Sequence, residues 1–77
     1  MITIYGLRNC EACLKAKQMC EAKDVAHRFV DVMNIDNRVE MREMFGFKAK
    51  VPSIAWKDEP QTINEFKIKL MKGEYHE

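Results

Sequence analysis

Two cysteines three positions apart, Cys10 and Cys13, separate an alternating apolar stretch, Met1-Ile2-Thr3-Ile4-Tyr5, from a helix-forming one, Leu14 to Lys23. Strand, short loop, then C-x-x-C on the first turn of a helix is the order this spelling predicts. Ile2 and Ile4 alternate with period two, as in a short strand. Gly6 breaks it, and Asn9 is a residue type that caps helices, so the helix is expected to begin beside Cys10. Within it Cys13, Ala16 and Cys20 share one face, with Ala12, Ala16 and Met19 in a neighbouring row. Lys15 and Gln18 point outward.

The rest of the chain continues this pattern. His27 to Val32 is β-branched and aromatic and reads as a second strand, completing a β-α-β unit with parallel strands. Asn34 or Asp36 caps a second helix, about Asn37 to Phe45, with Val39, Met41, Met44 and Phe45 apolar. Gly46 then Phe47 fits a helix stop with a left-handed glycine and an apolar residue folding back. Val51 to Trp56 reads as a third strand with proline near its start. Lys57 to Pro60 reads as a turn, Gln61 to Ile63 as a short edge strand, and Asn64 as the cap of a last helix, Glu65 to about Lys72, with Phe66, Leu70 and Ile63 inward. Residues 73–77 read as a frayed tail. The order β-α-β-α-β-β-α predicts an α/β fold: one domain over residues 1–77, with a four-stranded mixed sheet and helices on both faces.

Bulk properties narrow the function. Seventy-seven residues, 47% hydrophobic and 32% charged, describe a small globular chain. A net charge of +1 argues against nucleic-acid or membrane-surface binding driven by bulk charge. No apolar run approaches the roughly 20 residues of a membrane helix, and no secretory signal is read. Three cysteines is an odd number, unlike a disulfide-stapled secreted domain. A cytoplasmic location is therefore expected, where a close cysteine pair is catalytic or metal-binding. Zinc in a closed site takes four ligands. Beyond the pair the chain offers only Cys20, His27 and His76, so no metal site is assigned.

At Cys10 the unpaired N–H groups and dipole of the helix stabilise a thiolate, with Arg8 and Lys15 adding positive charge and Glu11 opposing. Cys10 is assigned as the nucleophile that attacks a substrate disulfide and Cys13 as the residue that resolves the mixed disulfide. Cys20, the methionines and Trp56 read as core or its edge. His27 reads as a surface or satisfied histidine.

These residues resemble the glutaredoxin family. Tyr5, the Cys10/Cys13 pair, Ala16, Val51-Pro52 before a strand and the chain length match its pattern. The resemblance implies a thioredoxin-like fold with Pro52 in cis, although X-Pro bonds are cis in only about 5–6% of cases. It implies that Val51 and Pro52 line the substrate groove by strand addition. It places Arg8 where the family often has a lysine that meets a glutathione carboxylate. The family's Gly-Gly pair before the last helix falls on Thr62-Ile63, with Asn64 as cap, so these three are candidate glutathione contacts through a helix N-terminus. Glu11-Ala12 stands where the family has proline and an aromatic residue, and Lys50 where it has threonine. Residues 5–10 also resemble the opening of the arsenate reductase family, which shares the fold but has arginine where this chain has Val51.

The resemblance implies a monomeric thiol–disulfide oxidoreductase with no bound cofactor, reduced by glutathione. A related group is reduced by thioredoxin reductase and feeds ribonucleotide reductase. The missing glycines favour that branch as an alternative, alongside a non-catalytic iron–sulfur carrier.

Overall fold

The computed structural model describes residues 1–76. Its elements run β1 (Ile2–Gly6), α1 (Glu11–Ala22), β2 (His27–Asp31), α2 (Ile35–Phe45), β3 (Ser53–Trp56), β4 (Glu59–Gln61) and α3 (Ile63–Lys72). The sheet order is β2-β1-β3-β4. β1 pairs parallel with β2, Ile2 opposite His27, and antiparallel with β3, Tyr5 opposite Ser53. β3 and β4 close an antiparallel hairpin. The expected order and mixed sheet are both present.

β1 lies in the middle of the sheet with every residue buried, because both its faces are covered. Ile2, Ile4 and Ile54 pack with Ala16 and Cys20 of α1 and Phe66 and Leu70 of α3. Tyr5 and Ala55 point the other way, onto Val30, Val32 and Met41. The period-two alternation of β1 thus sorts side chains between two cores rather than between core and water. α1 shows the predicted inward face, with Cys13, Ala16 and Cys20 buried.

Several boundaries shift for local reasons. The N-cap of α1 is Cys10 itself, not Asn9. Asn34, not Asp36, caps α2, accepting from the N–H groups of Asp36 and Asn37. The β3–β4 turn is only Lys57-Asp58, both with positive φ, the geometry of a two-residue hairpin. β4 therefore starts at Glu59 and takes in Pro60, tolerated on an edge strand. The cap of α3 is Thr62 rather than Asn64. Thr62 and Glu65 form a capping box, in which each side chain accepts from the other's backbone N–H, at 3.0 and 3.1 Å.

Some predicted core residues are on the surface. Gly46 has φ 100 and ψ 165, which carries the chain outward instead of back. Phe47 is 82% exposed and lies under the Arg42 guanidinium. Val39 is half-exposed, and Met33 and Met71 are 69% and 76% exposed. Conversely, the expected frayed tail is ordered through residue 76. Gly73 adopts a left-handed conformation, and the N–H of Glu74 donates to the Lys69 carbonyl. This Schellman-type reversal returns Tyr75 to the core, 5% exposed and against Trp56 and Phe66. Glu77 of the predicted tail lies outside the described residues.

Candidate active site

The end of β1 and the start of α1 place the two thiols. Cys10 N–H donates to the Leu7 carbonyl at 3.1 Å, closing the loop. The Cys10 backbone is extended, and its Sγ accepts from the Cys13 N–H at 3.3 Å. One orphan donor of the helix start is thereby directed at sulfur. Cys13 is fully buried beneath it, against Gly6. A Cβ at Gly6 would lie 2.8 Å from both the Cβ and the Sγ of Cys13, so only glycine lets α1 approach β1 this closely.

The two thiols are held in opposite senses. A hydrogen bond from the Cys13 thiol lowers the pKa of the partly exposed Cys10; burial opposes it, and weaker bonds from the N–H groups of Cys13 and Ala12 add to the lowering. Burial, then the interaction with Cys10, pushes Cys13 up to about 11. Cys20, fully buried, is also pushed up to about 11 by burial. The expected help from Arg8 is directed elsewhere, since its Nε lies 3.4 Å from Asp31 Oδ2.

The Val51–Pro52 peptide is cis, as the resemblance implies. Ser53 Oγ donates to the Lys50 carbonyl at 2.7 Å and ties down this loop. Pro52 and Ile63 join Ala12, Ala16 and Phe66 around a groove of about 380 Å³, with Lys15 and Lys67 at its rim. Val51 faces a different concavity, with Leu7 and Met41, and Arg8 a third, with Leu14 and Phe29. Thr62 and Asn64 are exposed at the start of α3 beside Ile63. The structure thus gathers Pro52 and Ile63 in one groove with Ala12, which lies between the two cysteines in sequence, and sets Arg8 and Val51 on separate surfaces. Phe66 and Lys67, some fifty residues from the cysteines, line the groove with no local sequence signal for it beyond the Ala12–Ala16–Met19 row of α1.

The α3 N-terminus is occupied internally. The Thr62 N–H donates to the Glu65 carboxylate, and the Glu65 N–H to the Thr62 hydroxyl. The bond from the Thr62 backbone N–H first, then one from the Thr62 hydroxyl, hold the Glu65 carboxyl below its usual range, with Lys69 adding to the effect. His27 Nδ1 lies 2.8 Å from the Val25 carbonyl, a satisfied histidine away from the dithiol. Among the described residues no three His, Cys, Asp or Glu side chains converge as a metal site, and no helix is long and apolar enough to cross a membrane.

Selective alkylation tests the thiol asymmetry. With the reduced protein at neutral pH, iodoacetamide is expected to modify Cys10 and spare Cys13 and Cys20, as read by peptide mass mapping. The Cys10 rate should level off at a pH below that of an ordinary thiol, because its thiolate is already formed there. Modification of Cys13 first would reverse the assignment.

A family model described as glutaredoxin matches residues 2–60, which contain both thiols and the cis-proline. A crystal structure of a point mutant of the thioredoxin-like protein BC3987 superposes with a TM-score of 0.67 at 20% identity. The match covers 95% of this chain and 96% of that one, a likeness of fold. No curated protein matches the sequence.

Proposed function

The chain belongs to the glutaredoxin family, and from that premise we propose that Cys10 and Cys13 are the redox dithiol of a thiol–disulfide oxidoreductase. The Cys10 thiolate attacks one sulfur of a substrate disulfide. A new S–S bond forms, the substrate bond breaks, and one substrate thiolate leaves and takes a proton. Cys13, after losing its proton, attacks Cys10 Sγ. The second substrate thiol is released, and a Cys10–Cys13 disulfide holds the two-electron oxidation. Two reducing equivalents from a thiol or a reductase restore the dithiol. The observation that carries this reading is the opposite perturbation of two thiols joined by one helix turn: Cys10 lowered and reachable, Cys13 raised and buried. In this reading Pro52 and the backbone of Val51, whose side chain faces the other concavity, meet the backbone of an extended substrate.

The start of α3 bears on the choice of electron donor. In a glutathione site the first N–H groups of that helix meet a carboxylate. Here the Glu65 carboxylate already accepts from Thr62 N–H and places a negative charge at the same point. That favours a reductase protein over glutathione as electron source.

The test reduces a small disulfide, oxidised 2-mercaptoethanol, in two parallel NADPH-coupled assays. One contains glutathione with glutathione reductase, the other thioredoxin reductase. Faster turnover with thioredoxin reductase is expected. Faster turnover with glutathione would reverse the donor assignment, and no turnover with either would overturn the oxidoreductase reading.

A further inference from the structure

The groove beside the dithiol does not end at the site. It shares Met19 and Lys67 with a second depression of about 270 Å³ between α1 and α3, whose floor is Ala22, Leu70 and Met71. We propose that this continuous α1–α3 groove docks an acidic, apolar segment of the protein that exchanges electrons with the dithiol. The inference rests on the oxidoreductase reading and adds the chemistry of its partner.

Three observations support it. The floor is apolar along its whole length, from Ala12 and Ile63 to Met71. From Ala12 to Lys23 on α1 this is about 16 Å at the rise of an α-helix, room for about five residues of extended chain. Among the described residues, the only charged ones along it are Lys15, Lys23 and Lys67, with no carboxylate in its lining.

The lysines are also available. Arg8 pairs with Asp31 and Lys69 with Glu65, while Lys15, Lys23 and Lys67 have no carboxylate partner among the described residues. Three cations in one groove of a chain with net charge +1 form a local field that selects acidic partners. A second copy of this chain is a poor occupant, because a two-fold interface would set the same lysines against each other. Phe66 is buried, so the groove lacks the exposed aromatic platform that single-stranded nucleic acid uses.

The probe is a capped peptide of about ten residues alternating glutamate and leucine. Its controls have lysine for glutamate or serine for leucine. Titrated into the reduced protein, the acidic apolar peptide is expected to shift amide resonances concentrated in residues 12–23 and 63–71, and both controls to bind more weakly. Lys23→Glu, remote from the dithiol, is expected to weaken binding roughly five- to tenfold, with Lys23→Arg restoring it and turnover of oxidised 2-mercaptoethanol unchanged in both. Shifts elsewhere, equal binding of the lysine peptide, or indifference to Lys23→Glu would overturn the proposal. So would sedimentation showing that the protein pairs with itself through this face. If the small disulfide turns over normally in any of these cases, only the docking surface fails. If the peptide binds as expected but no disulfide is reduced, the oxidoreductase reading fails instead.

Discussion

Replacing Cys10 with serine is expected to reduce disulfide turnover to background, a loss of at least about 10³-fold. Serine keeps the size and the N-cap hydrogen bond to the Cys13 N–H. It supplies no thiolate, because its hydroxyl does not ionise near neutral pH. The remaining thiols cannot substitute, since Cys13 and Cys20 are both fully buried and pushed up to about 11. Cys13→Ser should behave differently. Attack by Cys10 still proceeds, but nothing displaces the bound half of the substrate. A mixed disulfide should accumulate on Cys10, read as a mass increase equal to the substrate half and reversed by dithiothreitol. The pH response has a definite sign. While Cys10 is a thiolate, its hydrogen bond and its charge help keep the Cys13 proton in place, after burial as the largest cause. Once Cys10 is bonded to substrate, that charge is gone and Cys13 ionises more easily, leaving burial as the obstacle. The resolving step should therefore speed up as pH rises, while the Cys10 attack levels off at lower pH. Full turnover by the Cys10→Ser protein would refute the mechanism.

The redox pair was legible because its physics is local. A strand, a glycine, a cap and two cysteines at helical spacing are all spelled within residues 2–13, and the order of elements follows from hydrophobic periodicity over single segments. What was not legible depends on distant parts of the chain. Phe66 and Lys67 reach the groove only because α3 packs beside α1 on one sheet face. Nothing local at Ala12 reveals that neighbour. Where local signals compete, the stronger one decides. Asn64 is a good cap residue, but Thr62 and Glu65 satisfy two donors together and draw the helix start two residues earlier. Lys57 to Pro60 reads locally as a turn, yet Glu59 and Pro60 join the edge strand, where the missing proline N–H is tolerated. Phe47 looked like a core residue until the backbone at Gly46 turned outward.

Tyr75 is the residue whose importance local sequence least revealed, and it sets the largest expected stability effect. It lies beyond the last helix in a polar stretch, Lys72-Gly73-Glu74-Tyr75-His76, which reads as a tail. The left-handed Gly73 turns it inward, where its ring packs 5.1 Å from that of Trp56 and 6.1 Å from that of Phe66. Its hydroxyl donates to Gln61 Oε1 at 2.9 Å, an oxygen that also accepts from Lys69 Nζ at 3.3 Å. Burial pushes the phenol up to about 12, so the ring stays neutral through the physiological range. Tyr75→Ala removes an aromatic ring from the core that joins β3 to α3, a truncation that costs about 3–5 kcal/mol. A chain of this size has about 4–11 kcal/mol of stability in total, so the loss is a large share of it. Tyr75→Phe keeps the ring and leaves Gln61 Oε1 its bond to Lys69, so it should cost about 1 kcal/mol. Urea unfolding should show both midpoints lowered, Tyr75→Ala much the more, with Tyr75→Phe keeping the wild-type slope. Because Phe66 and Ile63 line the groove from α3, the alanine variant should also lose turnover near its unfolding midpoint, while Tyr75→Phe retains it. Equal stability of Tyr75→Ala and wild type would mean that the chain end contributes nothing to the core. Equal losses for the two variants would place the stabilisation in the hydroxyl rather than in the ring.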